Sequence, residues 1–195
     1  DGNITSLEIS IGDFVFKEIV IERFGFENGD IILTPEWEFE AKKIENRLER
    51  LRKRIMALEE LYAKKEVPRH AYEKYKKKLD SSLIKAKEDA RNIKDMLKKK
   101  LLELEDTILE LEKTMTSLKV SYLAGEIPEK AYKVAADQIR KHIEFSQMEK
   151  ENIKKHIDKI ESLEKQPIDI GIKPKEEPSE IPSQNQSLPV VVLET

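Results

Sequence analysis

The chain contains no cysteine, which removes both a disulfide framework and a thiolate zinc site from consideration. Between Pro35 and Pro167 it has two prolines, Pro68 and Pro128, and between Gly29 and Gly171 one glycine, Gly125. Strong helix breakers are therefore almost missing from the middle of the chain. Aromatic residues are only 6%, and no apolar run approaches the roughly 18 residues that a membrane-spanning helix needs. What is abundant is charge, at 38% of residues, the profile of long exposed helices rather than of a packed globule. A cytoplasmic protein is the default expectation.

The stretch around each central proline occurs twice. Leu58, Tyr62, Glu66, Val67, Pro68, Ala71 and Tyr72 recur at an offset of 60 as Leu118, Tyr122, Glu126, Ile127, Pro128, Ala131 and Tyr132. Proline fixes φ near the helical value and has no N–H to leave unpaired, so each repeat predicts a helix starting at the proline. The residue before it is pushed out of the α region, which ends the preceding helix. Gly125 closes a helix in the left-handed conformation at little cost, whereas Lys65 at the matched place would lose on the order of 1 kcal/mol, so the first turn is expected to be the looser. The four repeat tyrosines are expected to brace the two hairpins.

The helices read as heptads. Thr34-Pro35-Glu36 predicts a capped start with proline at the first position, and helix A then runs over 36–64 with the seam Ile44, Leu48, Leu51, Ile55 and Leu58, spaced 4, 3, 4, 3 as in a coiled coil. Helix B, 68–124, continues through Leu79, Leu83, Ala86, Ala90, Ile93, Leu97, Leu104, Ile108, Leu111, Met115, Leu118 and Tyr122. Helix C, 128–163, uses Ile139, Ile143, Ile153, Ile157 and Ile160, with Ser146 and Lys150 interrupting. Short turns fold A and C back on B. The expected fold is mainly α, a three-helix antiparallel hairpin coiled coil forming an elongated rod, in which A covers the first half of B and C the second. Seam left bare would pair with another chain.

Residues 1–35 read as short strands around an Asn28-Gly29 hairpin turn. They bury too little to stand alone, and with Asp1 rather than Met first, the expectation is a partial β-barrel whose earlier strands are absent. Trp37 is expected to plug the junction of barrel and rod. From 166 to 187, four prolines among Ser, Gln, Glu and Lys predict a disordered linker. It leads to 188–195, where Leu188, Pro189, Val190, Val191, Val192 and Leu193 form an isolated apolar β-former suited to adding a strand to a partner's sheet.

Catalytic chemistry is not indicated: His70, His142 and His156 lie far apart, each read as a helical surface residue, and no nucleophile or Gly-rich phosphate loop accompanies them. No cofactor or metal is expected. Net charge is −5 over 1–35, +8 over 36–100 and −6 over 101–195, which favours an anionic partner for the basic third or head-to-tail pairing with an acidic region of a second copy. Within it Lys43, Arg47, Arg50 and Arg54 follow spacing 4, 3, 4, a basic ridge beside the seam that suits DNA phosphates or anionic lipid.

At Gly29-Asp30-Ile31-Ile32-Leu33-Thr34-Pro35-Glu36-Trp37-Glu38-Phe39-Glu40-Ala41 and at Arg52-Lys53-Arg54-Ile55-x-Ala57-Leu58-Glu59-Glu60-Leu61-Tyr62, the chain resembles the CdvA family of archaeal cell division, along essentially its whole length. The resemblance implies a PRC-barrel ending, a coiled coil and a tail peptide. It also implies a non-enzymatic scaffold that polymerises into a filament at mid-cell beneath the membrane, associates with membrane and DNA, and recruits the ESCRT-type winged-helix partner CdvB through the terminal peptide, here Leu188 to Leu193. With the barrel's earlier strands expected to be absent, the chain is expected to depart from the family in the first half of the barrel. The alternatives are a DNA-binding, chromosome-organising coiled coil and a helical-hairpin chaperone.

Overall fold

The computed structural model describes residues 4–10 and 15–165. Alternating residues of the N-terminal segment form two antiparallel hairpins. β1 (Ser6–Ser10) pairs with β2 (Phe16–Val20), Leu7 facing Ile19, and after a 3₁₀ turn at Ile21–Arg23, β3 (Phe24–Glu27) pairs with β4 (Asp30–Leu33). The expected Asn-Gly turn is present: Asn28 at φ 52 and Gly29 at φ 91 have the double positive φ of a type I′ turn, whose twist matches that of its strands. Among the described residues of this segment, Ile19 alone is buried.

Arg23 ties the second hairpin to the rod. Its Nε donates to the Thr34 carbonyl at 3.0 Å, and its guanidinium and Lys17 both pair with Glu36 in the first turn of the next helix. That helix, α1, spans Glu36–Ala63, followed by α2 (Arg69–Leu123) and α3 (Glu129–Lys165). The prolines sit one residue earlier than expected. Pro35 and Pro68 are caps with extended ψ of 146 and 147, and no side chain caps the amides, Thr34 included. Their carbonyls open the helices instead, accepting from Phe39 and Tyr72, as Pro128 does from Tyr132.

Both turns close in the same way. Lys65 N–H donates to Tyr62 and Glu66 N–H to Leu61; Gly125 and Glu126 repeat this with Tyr122 and Ser121, all at 3.0 Å. This is the Schellman closure, which needs a left-handed residue, and Lys65 adopts it at φ 61 as Gly125 does at φ 75. The first turn is therefore not looser in geometry. The tyrosines do brace the hairpins, Tyr62 on Tyr72 at 4.0 Å and Tyr122 on Tyr132 at 4.4 Å between ring centroids. At the first tip a further network adds to the stack: Tyr72 Oη donates to Glu59, and Lys76 donates to both. Residues 119 and 136, the matched places at the second tip, are Lys and Ala.

The helices do not divide α2 into halves as expected. At 1.5 Å per residue α2 spans roughly 82 Å, while α1 and α3 span roughly 42 and 56 Å, so two helices folded back from opposite ends must overlap. They lie parallel to each other at a constant offset, Trp37 on Glu149, Glu45 on His156 and Arg52 on Leu163. The continuous core sits in this overlap: Ala41, Leu48, Ala86, Ala90, Leu97, Ile153 and Ile160 are fully buried. Three alanines among them allow close approach of the helix axes. Outside the overlap the rod is two helices thick, and there Leu104 and Ala136 are still buried while Tyr75, Leu109 and Leu123 are exposed.

Candidate interaction surface

α1 is buried on two faces. The heptad seam residues Ile44, Leu48 and Leu51 pack into the bundle core and Ile55 is buried one turn further on, while Trp37, Glu45 and Arg52 meet α3. Glu45, 2% exposed, is the one buried charged residue among those described. His156 Nδ1 lies 2.5 Å and Lys159 Nζ 2.8 Å from its carboxylate, and the hydrogen bond that Lys159 donates to Glu45, working against burial, holds the Lys159 ammonium above its ordinary value. Trp37 meets the His156 ring edge-on at 5.9 Å and donates from Nε1 to Glu149 at 3.0 Å. This latch revises two expectations. His156 is not a surface residue, and Trp37 belongs to the helix-on-helix core, because α3 reaches far enough back to cover the start of α1. His70 and His142 are exposed. The signal in the sequence was Ala41, Glu45, Leu48 and Arg52 at spacing 4, 3, 4, a second ridge that shares Leu48 with the seam.

The basic ridge occupies the other flank of α1, and the structure separates its members. Lys43 pairs with Glu40 at 3.5 Å and lies over the Phe39 ring. Arg47 pairs with Asp89 of α2. Arg50 donates to the Asn46 carbonyl, and among the described residues neither it nor Arg54 has a carboxylate partner. Arg47, Arg50 and Arg54 share a cleft of about 340 Å³ with Leu51 and Ser82. Next to it, toward the first tip, a larger apolar cleft of about 490 Å³ lies between α1 and α2, floored by Leu51, Leu58, Leu61 and Leu79 and edged by Tyr75, Arg54 and Lys78. Lys74, Lys77 and Lys85 continue the basic edge along α2. Among the described residues no acidic side chain lines any of these clefts.

At the tip itself, burial pushes the Glu59 carboxyl up, but hydrogen bonds from Lys76 and Tyr72 and the Lys76 charge together hold it below its ordinary value. The bond to Glu59, with that to Tyr72, raises Lys76 well above an ordinary ammonium. These are structural pairings that fix a hairpin.

Among the described residues no group of three His, Asp or Glu side chains is placed to hold a metal ion, and no helix is long and apolar enough to cross a membrane. Among the described residues the arrangement offers apolar clefts with basic edges. The terminal peptide, Leu188 to Leu193, and the linker before it lie outside the described residues.

Comparison with known proteins agrees with the fold. A family model described as a CdvA-like coiled-coil domain matches residues 36–183. Cell division protein A of Sulfolobus acidocaldarius is 35% identical over 170 residues, which is 87% of this chain and 71% of that protein. No solved structure matches. With the coiled coil matched from its first helix into the tail, and a relative of this identity along most of its length, the chain belongs to the CdvA-like family.

Proposed function

We propose that this protein is a non-enzymatic cell-division scaffold, a rod that self-associates and recruits an ESCRT-type winged-helix partner, CdvB, through residues 188–193. The cell-division role follows its relative, Cell division protein A. The observation that carries the scaffold reading is the three-helix overlap, which uses up the apolar core in mid-rod and leaves apolar side chains exposed toward both ends, among them Tyr75, Leu109 and Leu123. Exposed apolar surface rimmed by charge is what a protein-binding face looks like. Val190, Val191 and Val192 favour extended structure, Pro189 suits a strand's first residue, and alternate side chains would enter a partner's pockets while the backbone pairs with its sheet edge. A polymer of rods would present many such peptides, multiplying a modest single affinity.

Deleting 188–195 tests the recruitment. Capture of the winged-helix partner is lost while rod assembly, read by light scattering, persists; capture that survives refutes it. Val191→Asp is the single-residue version.

A second reading, a DNA- or membrane-associated coiled coil, is favoured by Arg50 and Arg54, which have no carboxylate partner among the described residues. Phosphate contacts of this kind are sequence-independent and weaken steeply with salt. Charge reversal of Lys43, Arg47, Arg50 and Arg54 together then abolishes binding to DNA and to anionic liposomes; unchanged binding leaves the ridge a solvated face.

A further inference from the structure

α2 carries a second apolar line beyond the one that packs on α3. Leu102, Leu109, Thr116 and Leu123 follow each other at intervals of seven residues, with Val120 beside them, and Leu102, Leu109 and Leu123 are 62%, 52% and 83% exposed. The α3-facing line on the same helix is Leu104, Ile108, Leu111, Met115 and Leu118, all buried or half-buried. A heptad spacing keeps side chains on one stripe of a helix, so the line is a continuous stripe, and among the described residues its leucines stay exposed. Its first part is strongly acidic. Residues 102–112 hold Glu103, Glu105, Asp106, Glu110 and Glu112 and no Lys or Arg. Glu105 pairs with Lys150 of α3, and on α2 itself Glu103 pairs with Lys99 at 4.0 Å and Glu110 with Lys113 at 2.7 Å; Glu103, Asp106, Glu110 and Glu112 are exposed, and exchange of these one-turn pairs for cleft cations costs little.

The apolar cleft at the first hairpin has the opposite character. Its floor is leucine, its edges are Arg54 and Lys78, and Lys74 and Lys77 stand beside it. Along α1 the floor residues Leu51 and Leu58 are also seven apart, the same interval as Leu102 and Leu109, roughly 10.5 Å on each helix. A helix laid in the cleft would therefore find its apolar knobs in step with the floor and its acids against the cationic edges. The cleft takes Leu51, Arg54, Leu58 and Leu61 of α1, a different face from Trp37, Glu45 and Arg52, which α3 covers.

Resting on the self-association proposed above, we infer that the rods join head to tail, the acidic Leu102–Leu109 seam of one copy seating in the basic-edged cleft between α1 and α2 of the next. One chain cannot make this contact with itself. Leu79 and Leu102 are 23 residues apart on a continuous helix, roughly 35 Å at its rise. The two surfaces differ, so the contact is heterologous: an assembly keeps a free cleft at one end and a free seam at the other, and where the rotation does not close a ring it extends as a filament. Complementary charge of this kind sets register and rejects wrong pairings, and it weakens with salt.

Two charge-swapped full-length variants test it. One reverses the cleft, R54E/K78E; the other reverses the seam, E103K/D106K/E110K. All exchanged groups are exposed or at the cleft edge, and helix content by circular dichroism confirms folding. Each variant alone is expected to raise the concentration needed for assembly roughly tenfold or more, the sum of several exposed ion pairs turned repulsive. Mixing the two restores assembly, because the acidic cleft of one now accepts the basic seam of the other. Wild-type protein that stays monomeric refutes self-association itself. Wild-type assembly with variants that assemble equally well, or a mixture that does not recover, refutes only this interface. A photocrosslinker at Tyr75 is expected to capture residues 102–110 of another copy; capture of residues 166–195 instead overturns the inference in favour of the chain's own tail. A cleft-reversed variant that assembles normally but no longer binds DNA overturns it in favour of a polyanion.

Discussion

Glu45 is where the rod is most exposed to a single substitution. Its carboxylate is buried between α1 and α3 and holds His156 at 2.5 Å and Lys159 at 2.8 Å. In Glu45→Ala the His156 side chain, 11% exposed, loses its partner, a desolvation loss of about 1–3 kcal/mol. Lys159 is half-exposed and turns to water, so its loss is about 0.2–1 kcal/mol. The expected total is about 1–4 kcal/mol. Replacing the pair by apolar groups should behave differently, since a buried polar pair exchanged for packed hydrophobics is often neutral. Glu45→Leu/His156→Leu is therefore expected to recover most of the loss seen in Glu45→Ala. Denaturant unfolding followed by fluorescence of Trp37, the only tryptophan and in contact with His156, reads this junction directly. An Ala variant within about 0.5 kcal/mol of wild type, or a double variant no better than the single, would refute the assignment of stability to this latch.

The two turns predict opposite responses. Lys65→Gly relieves a left-handed residue and is expected to gain about 1 kcal/mol, while Gly125→Ala, whose Cβ would meet nothing within 4 Å, loses about 1 kcal/mol on conformation alone; thermal unfolding of both variants checks the pair. In the Glu59–Lys76 network the Glu59 value is depressed from 4.5 and the Lys76 value raised from 10.5. The Glu59 contribution is thus complete above the unfolded value and disappears as pH falls through the folded one. The Lys76 contribution is complete below its unfolded value and disappears as pH rises through the folded one. The stability difference between wild type and Glu59→Gln/Lys76→Met is therefore expected to be flat from about pH 5 to about pH 10 and to shrink on either side. A difference that peaks sharply inside this window contradicts the pairing. Ala90→Leu, at a fully buried place in the three-helix overlap, is expected to cost about 1–3 kcal/mol by overpacking, whereas Ile84→Ala, exposed on the same helix, changes stability by less than about 0.5 kcal/mol.

What could be read from the sequence was local. Asn28-Gly29, Pro68 and Pro128 mark turns because φ preferences belong to single residues, and the heptads of Ile44 to Leu58 and Leu79 to Tyr122 mark helix faces because periodicity belongs to one segment. Lys65 shows the limit of that logic. Its left-handed conformation is unfavourable by itself and is held by the Schellman bonds, the tyrosine stack and the Glu59 network around it. The register between helices was not local. Trp37 with Glu149, Glu45 with His156 and Arg52 with Leu163 join places more than a hundred residues apart, and each depends on how far α3 runs back along α2. The same register decides which flank of α1 disappears under α3 and which keeps Arg50 and Arg54 at the surface. A heptad states that a face will be buried; only the summed packing of three helices, whose lengths force an overlap, decides by what.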